Sequence, residues 1–226
     1  MTKAAWRQTV RARRAGLSAT ERGERDAARA EAIVTALSRG AAGGRPGPRF
    51  PPPAELSPGP GRPAERDADR RPGPGFTVAA YAAVAPEPDL GPLFDRLAGW
   101  GVRWLLPALA RRPGLPAGRQ DWAWWDGRAP LVAGWREIPE PPTPPLGPTG
   151  LAAAQLILLP GLAGSLSGGR LGGGGGWYDR ALAAARPGTP RWLALNADEV
   201  VATLPLDPWD EPVDALVTET GFIPCV

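Results

Sequence analysis

Residues 169–180 read Gly-Arg-Leu-Gly-Gly-Gly-Gly-Gly-Trp-Tyr-Asp-Arg, the run in this chain that packing needs explain least. Five consecutive glycines at 172–176 bury nothing and are costly to order. They follow an apolar, strand-like segment at 155–160 and precede an alanine-rich segment able to start a helix. Glycines in such a place let backbone N–H groups come close to an anion, and the helix N-terminus adds partial positive charge. Arg170 and Arg180 bracket the run and Asp179 closes it, so the chemistry indicated is phosphate binding. The GxxxxGK[ST] phosphate loop is excluded, because no Lys-Ser or Lys-Thr follows. The dinucleotide fingerprint needs an early strand and an acidic residue about 20 positions later, and neither is present.

Three further groups carry charge at informative places. Lys3 and Arg7 stand four residues apart, on one face of a helix. Glu87-Pro88-Asp89 follows a strand and leads into a helix, and Asp210-Glu211-Pro212-Val213-Asp214 leads into the apolar run 215–217. Taken singly, these could be a solvated helix face, a cap on a helix dipole and ordinary loop charges. The chain contains no histidine, which removes Ser-His-Asp catalysis and histidine metal sites. Any metal must be held by oxygens, which favours magnesium over zinc. Cys225 is the single cysteine, so no intramolecular disulfide forms, and it has no imidazole to activate it as a nucleophile.

The elements that position these groups follow from periodicity. Residues 2–15 read as a short basic helix with Trp6 and Val10 one turn apart, and Ser18-Ala19-Thr20-Glu21 is a capping box for a second helix striped by Ile33, Val34 and Leu37. Strands are predicted at 76–84, 102–106, 155–160, 191–195 and 215–218, with helices at 90–97 and 178–185. The Asp126-Gly127 turn signal predicts a hairpin over 122–135. Alternating strands and helices predict an α/β fold with a largely parallel sheet, in which a ligand sits beyond the carboxyl ends of the strands.

Between 40 and 75 the pattern disappears into Pro, Gly, Arg and Glu, and the stretch reads as a disordered insertion. A role as a nucleic-acid arm is weakened by Glu55, Glu65, Asp67 and Asp69, despite the net charge of +3. The hydrophobic share of 43% suffices for one core, and no run resembles a signal peptide or a membrane span. A cytoplasmic protein is expected, with no nucleic-acid or membrane partner.

In their order, the pieces resemble one family, 5-formyltetrahydrofolate cyclo-ligase, also called methenyltetrahydrofolate synthetase. The resemblance rests on Pro160-Gly161, Arg170-Leu171-Gly172 and 174–180, together with Lys3, Arg7 and the basic segment 11–15. It extends to Tyr81, Glu87-Pro88-Asp89, Ile138-Pro139-Glu140-Pro141 and the closing segment 213–219. Trp177 stands where tyrosine is commoner, and Gly173 and Gly175 where some members carry Arg or Lys. Trp209 takes a place often held by His.

The resemblance implies a single α/β domain with a mostly parallel sheet flanked by helices, akin to the NagB/RpiA/CoA-transferase-like three-layer fold. Residues 1–39 would supply its N-terminal helices and 76–226 the remainder, with 40–75 inserted. It also implies conversion of 5-formyltetrahydrofolate to 5,10-methenyltetrahydrofolate at the expense of ATP, with magnesium, by a monomer. ATP would be held by Lys3, Ala4, Ala5, Trp6, Arg7, Arg170, Leu171, Gly172, Gly173, Gly174, Gly175, Gly176, Trp177 and Tyr178. Val84, Asp89, Trp177 and Gly173, Gly174, Gly175 and Gly176 would contact the folate. Asp179 and Asp214 would hold the metal, and Arg170 and Asp179 would be catalytic. A divergent, non-catalytic binder of nucleotide or folate on the same fold is the alternative.

Deleting residues 43–72 should leave the melting temperature and the activity of the protein nearly unchanged, because the segment has no apolar face to bury. Collapse of the fold on deletion, followed by circular dichroism, would overturn the reading of 40–75 as an insertion.

Overall fold

The computed structural model describes residues 1–39, 75–109 and 119–226, so the expected insertion lies outside the described residues apart from Gly75. The chain opens with two helices, α1 (Lys3–Ala15) and α2 (Ala19–Ser38). The Thr2 hydroxyl caps α1 by accepting the Ala5 N–H, and the Ser18–Glu21 capping box forms as the sequence predicts. Then come β1 (Thr77–Ala79), α3 (Gly91–Leu97), β2 (Arg103–Ala108), β3 (Asp121–Trp125), β4 (Val132–Ala133) and β5 (Pro139–Glu140). The second half holds β6 (Leu156–Pro160), β7 (Ala163–Ser165), β8 (Arg170–Leu171), α4 (Trp177–Leu182) and β9 (Arg191–Ala194). It ends with β10 (Val200–Val201), β11 (Ala215–Thr218) and β12 (Gly221–Pro224). No helix among the described residues is long and apolar enough to cross a membrane.

Seven strands form one sheet in the order β12-β11-β9-β6-β1-β2-β3. The five from β11 to β2 run parallel, and the two edges, β12 and β3, are antiparallel. Burial of both faces makes the inner strands apolar throughout, and alternation sends successive residues to opposite sides. Leu156 and Leu158 join Val78, Trp104, Leu106, Trp192 and Val217 on the face covered by α2 and α3, through Ile33, Leu37, Leu93 and Phe94. Ile157, Leu159, Ala79, Leu105, Leu193 and Leu216 face Leu151, Ala181 and Leu182 on the other side. The small sheet β10-β7-β8 lies over that second face, where Gly164 packs directly on Leu193, Leu195 and Leu216. Helix α1 rests on this small sheet through Val10, against Leu162, Ala163 and Leu171.

The sheet differs from expectation at its edge. Residues 122–135 do not form a hairpin: β3 pairs antiparallel with β2, and β4 pairs with β5. The Asp126 turn does form, its Oδ1 accepting the N–H groups of Arg128 and Ala129. A bond from Trp125 Nε1 to Ala129 O then leads the chain out of the sheet. Strand β1 also stops at Ala79, so Tyr81 and Val84 belong to the loop beyond its carboxyl end.

Two buried arginines fasten the helices to this frame. Arg14 on α1 makes a bidentate pair with Glu199 at 2.6 and 2.7 Å, and both residues are almost fully buried. A third bond runs from Arg14 Nη2 to Gly161 O, just past β6. Arg29 on α2, likewise fully buried, donates to Leu195 O and to Asn196 Oδ1, just past β9. Removing one partner of a buried pair strands a charge in a low-dielectric interior, at a cost of about 3–5 kcal/mol. Urea unfolding of Glu199→Gln should show a loss of that order, whereas the double variant Arg14→Met/Glu199→Leu should lose much less. Equal losses in the two proteins would show that the pair does not anchor α1 through its charge.

Candidate active site

The glycine loop is placed by its two neighbours in sequence. Leu171 at the end of β8 accepts the Leu162 N–H through its carbonyl oxygen, which fixes the start of the loop beside the carboxyl end of β6. Helix α4 follows, with Gly176 as its N-cap at φ 61°, and Gly174 lies at φ 106°. Both are left-handed conformations that an L side chain resists. Gly173 and Gly175 are different: a Cβ at either would meet nothing within 4 Å. Two of the five glycines are thus demanded by backbone geometry, and at two others a side chain has room.

Arginines take up the loop's carbonyl oxygens. Arg7 Nε donates to Gly172 O at 3.0 Å, Arg11 to Gly173 O at 3.2 Å and Arg180 to Gly175 O at 3.1 Å. Among the described residues, the N–H groups of 173–176 donate to no protein acceptor. Carbonyls drawn outward to guanidinium groups leave these donors for an anion, as in other backbone nests. Arg170 is buried under the loop, its guanidinium against Gly172, and its Nε–H has no acceptor. Its Nη2 binds the Asp179 carboxylate, whose Oδ1 also receives the Glu211 N–H at 3.4 Å.

Lys3 completes the cationic side. Its ammonium lies 2.7 Å from Asp207 and 2.5 Å from Asp210, while the Asp210 carboxylate also accepts the Asp207 N–H at 2.7 Å. Burial alone would push the Asp210 carboxyl up, but the Lys3 ammonium and the Asp207 N–H, aided by Arg170, outweigh it and hold it below the usual carboxylate range. Asp179 and Asp210 therefore sit at one cation-lined edge, joined through Arg170 and Glu211. Asp214 is one step removed, bonded to the backbone of Arg191, whose guanidinium pairs with Glu211 at 2.7 Å. The Asp214 carboxylate accepts the Arg191 N–H at 2.8 Å at the amino ends of β9 and β11, the end of the sheet remote from Asn196 and Tyr81.

Of the remaining ATP-contact candidates, Ala4 is exposed and Ala5 is bonded to Thr2 in the first turn of α1. Trp6 packs on the Val10 cluster, and Leu171 is buried within it. Trp177 donates its indole N–H to Arg119 O at 3.2 Å and lies 5.5 Å from the ring of Trp122 and 4.8 Å from that of Tyr178. These aromatics make an apolar wall beside the glycines. Val84 is exposed, and its N–H is held by Glu87 Oε2 at 3.1 Å. Asp89 is exposed and accepts the Gly91 N–H at 3.1 Å, at the start of α3. Burial pushes the Glu87 carboxyl up, against the smaller effects of the Val84 N–H and Arg14.

Arg11 and Asp210 belong to this site and stand outside the residue set that the sequence implied. Helical spacing held the signal for Arg11, since positions 3, 7 and 11 share a face. Asp210 and Asp214 were both visible as carboxylates. The turn at 207–210, closed by the Asp210 N–H to Asp207 O bond, brings Asp210 to Lys3 and leaves no mark in periodicity.

The model of the 5-formyltetrahydrofolate cyclo-ligase family matches residues 75–219. A 5-formyltetrahydrofolate cyclo-ligase of Mycolicibacterium smegmatis is 37% identical over 148 residues, covering 64% of this chain and 74% of the relative. One from Escherichia coli K12 is 32% identical over 143 residues, covering 63% and 77%. Among solved structures, 5,10-methenyltetrahydrofolate synthetase of Aquifex aeolicus superposes with a TM-score of 0.66 at 25% identity, covering 100% of this chain and 93% of that one. A second synthetase, from Mycoplasma pneumoniae, shares the fold at a TM-score of 0.62 and 19% identity, covering 97% and 99%. The loop, its arginines and the 84–89 segment all fall on one α/β frame, and the chain belongs to the 5-formyltetrahydrofolate cyclo-ligase family.

Proposed function

We propose that this chain closes 5-formyltetrahydrofolate to 5,10-methenyltetrahydrofolate with consumption of ATP, releasing ADP and phosphate. The observation that carries the reading is the loop 173–176, whose N–H groups donate to no protein acceptor while Arg7, Arg11 and Arg180 hold its carbonyls. An N-formyl oxygen is a poor leaving group. Its attack on the terminal phosphorus of ATP forms an O–P bond and breaks the bond to ADP. The N10 lone pair then adds to the activated carbon, the C–O bond to phosphate breaks, and the N10 proton is lost. Such a route asks the protein for positioning and charge compensation more than for a nucleophile, which suits a chain without histidine.

In this reading the loop N–H groups cradle the phosphates, with Lys3, Arg7 and Arg170 compensating their charge. Val84, Asp89 and Trp177 contact the folate. Asp179 and Asp210 would hold magnesium, in place of the pair Asp179 and Asp214. The donor set fits: magnesium takes one or two carboxylates and completes its shell with water and phosphate oxygens. Magnesium so held would offset charge on the transferring phosphoryl group. The reading takes the enzyme as a cytoplasmic monomer.

Purified protein given ATP, magnesium and 5-formyltetrahydrofolate should develop the near-ultraviolet absorbance of the methenyl product. Folded protein giving no ATP-dependent signal would leave only the divergent binder. Asp179→Asn and Asp210→Asn should each lower kcat by about 100-fold or more, the scale for removing one charge-stabilising group. Asp214→Asn keeps an acceptor for the Arg191 N–H and should leave turnover nearly unchanged. Reversed ranks would return the metal to Asp214.

The Lys3–Asp210 contact has its own pH signature. Because the folded carboxyl is depressed, its contribution to stability is present above the unfolded value, about 3.9 for an aspartate. That contribution is lost as pH falls through the folded value. A carbon-13 NMR titration should therefore place the Asp210 midpoint below the ordinary one, and Lys3→Met should raise it. A midpoint unmoved by Lys3→Met would mean that the contact does not persist in solution.

A further inference from the structure

The segment carrying Val84 and Asp89 is held at four points. Three holds are local: Glu87 Oε2 on the Val84 N–H, Tyr81 Oη donating to Pro88 O at 2.7 Å, and Asp89 Oδ1 on the Gly91 N–H. The fourth comes from another element. Asp26 Oδ1, in the middle of α2, accepts the Asp89 N–H at 3.0 Å. The same oxygen receives Arg29 Nη1 at 2.5 Å. Arg29 is 0% exposed and is itself fixed by Leu195 O and Asn196 Oδ1 at the carboxyl end of β9. A chain of directed bonds thus runs from the sheet through Arg29 and Asp26 to the backbone of Asp89.

This arrangement is more than a helix contact. The Asp26 side chain is largely buried, and burial pushes its carboxyl up despite Arg29, so the protein keeps a costly carboxylate at a point where a serine could also accept one N–H. Two donors converge on the one oxygen, and the Arg29 side of the pair cannot move without breaking the bonds to β9. The Asp89 side chain is thereby left at the surface with its backbone pinned from beneath. Directed hydrogen bonds that lock a supporting group are what hold a binding side chain to the tolerance recognition needs.

We infer that Asp26, held by Arg29, is a positioning residue for the folate: it sets the backbone of Asp89 and so the affinity for the folate, with no effect on the nucleotide. This rests on the proposed function in one respect, that the 84–89 segment faces the folate. On α1, Arg7 and Arg11 reach the glycine loop and Lys3 the 207–210 turn, whereas Asp26 on α2 reaches 84–89, so the two consecutive helices divide the two ligands between them.

Binding, rather than turnover, tests the inference. Quenching of tryptophan fluorescence would give Kd for 5-formyltetrahydrofolate, and a fluorescent ATP analogue would give Kd for nucleotide, with the full chain in both cases. Asp26→Ala should raise the folate Kd by about tenfold, the loss of one hydrogen bond to a charged group, while the nucleotide Kd stays within about twofold. Asp26→Asn, which keeps an oxygen able to accept both donors, should recover most of the folate affinity. Asp26→Leu, close in size and without an acceptor, gives the same comparison if the alanine protein melts too low to titrate. A folate Kd unchanged in Asp26→Ala, or both constants rising together, would overturn the positioning role. Wild-type protein that binds folate but forms no methenyl product would refute the proposed reaction and leave this inference standing. Wild-type protein that binds no folate would overturn both.

Discussion

The bidentate pair between Arg14 and Glu199 is the constraint from which the site follows. The two charges sit within a few per cent of full burial, so neither tolerates loss of the other. Glu199 is oriented in turn by the N–H and side-chain amide of Asn196, and Arg14 Nη2 donates to Gly161 O as well. The pair therefore joins the last turn of α1 to the carboxyl ends of β6 and β9 at once. Hydrophobic contact at Val10 could slide or rotate along a greasy surface, whereas a fork-to-fork pair fixes both distance and rotation. With rotation set, positions 3, 7 and 11 present their cations to the glycine loop and to the 207–210 turn.

Much of this frame was legible from residue patterns. The capping box at Ser18, the continuous apolar runs of β6 and β11, and the switch to helix after the glycines each state their structure in local terms. The predicted hairpin at 122–135 failed for a reason of the same kind. A turn signal says that the chain bends at Asp126, but it does not say which strand β3 will pair with. Pairing with β2 is decided by Trp104, Leu105 and Leu106 opposite 123–125, a long-range fit that no window of sequence contains.

The site shows the same division. Glycines, arginines and carboxylates pointed to phosphate chemistry, because few other demands explain five glycines between a strand and a helix. Which carboxylates meet was not legible. Asp210 and Asp214 are four residues apart in a segment without helical or strand periodicity, and one ends at Lys3 while the other ends at the N–H of Arg191. Buried polar links such as Arg29 to Asn196 were also hidden, since an arginine in a charged helix reads as surface until its partners are known.

The loop itself carries little charge, and that shapes how the site must work. At Gly173 and Gly175 a side chain would have open space, so the sequence forgoes cations that geometry would permit. In the proposed function, compensation for a polyphosphate would then fall to residues anchored elsewhere: Lys3 and Arg7 on α1 and the buried Arg170 beneath the loop. Cations on a rigid helix are placed with less conformational freedom than cations on a glycine tip, and preorganised charge is worth more than mobile charge when a transition state forms. Each of them is already partnered, Lys3 by carboxylates, Arg7 by a carbonyl and Arg170 by Asp179. An arriving phosphate must therefore exchange with these partners, and its binding to the loop is linked through Lys3 to the 207–210 turn. The arginine-to-carboxylate link under the loop ties the same exchange to Asp179. In the proposed function, nucleotide affinity would in this way be a property of the α1 docking, and so of the buried pair at Arg14 and Glu199, as much as of the glycines.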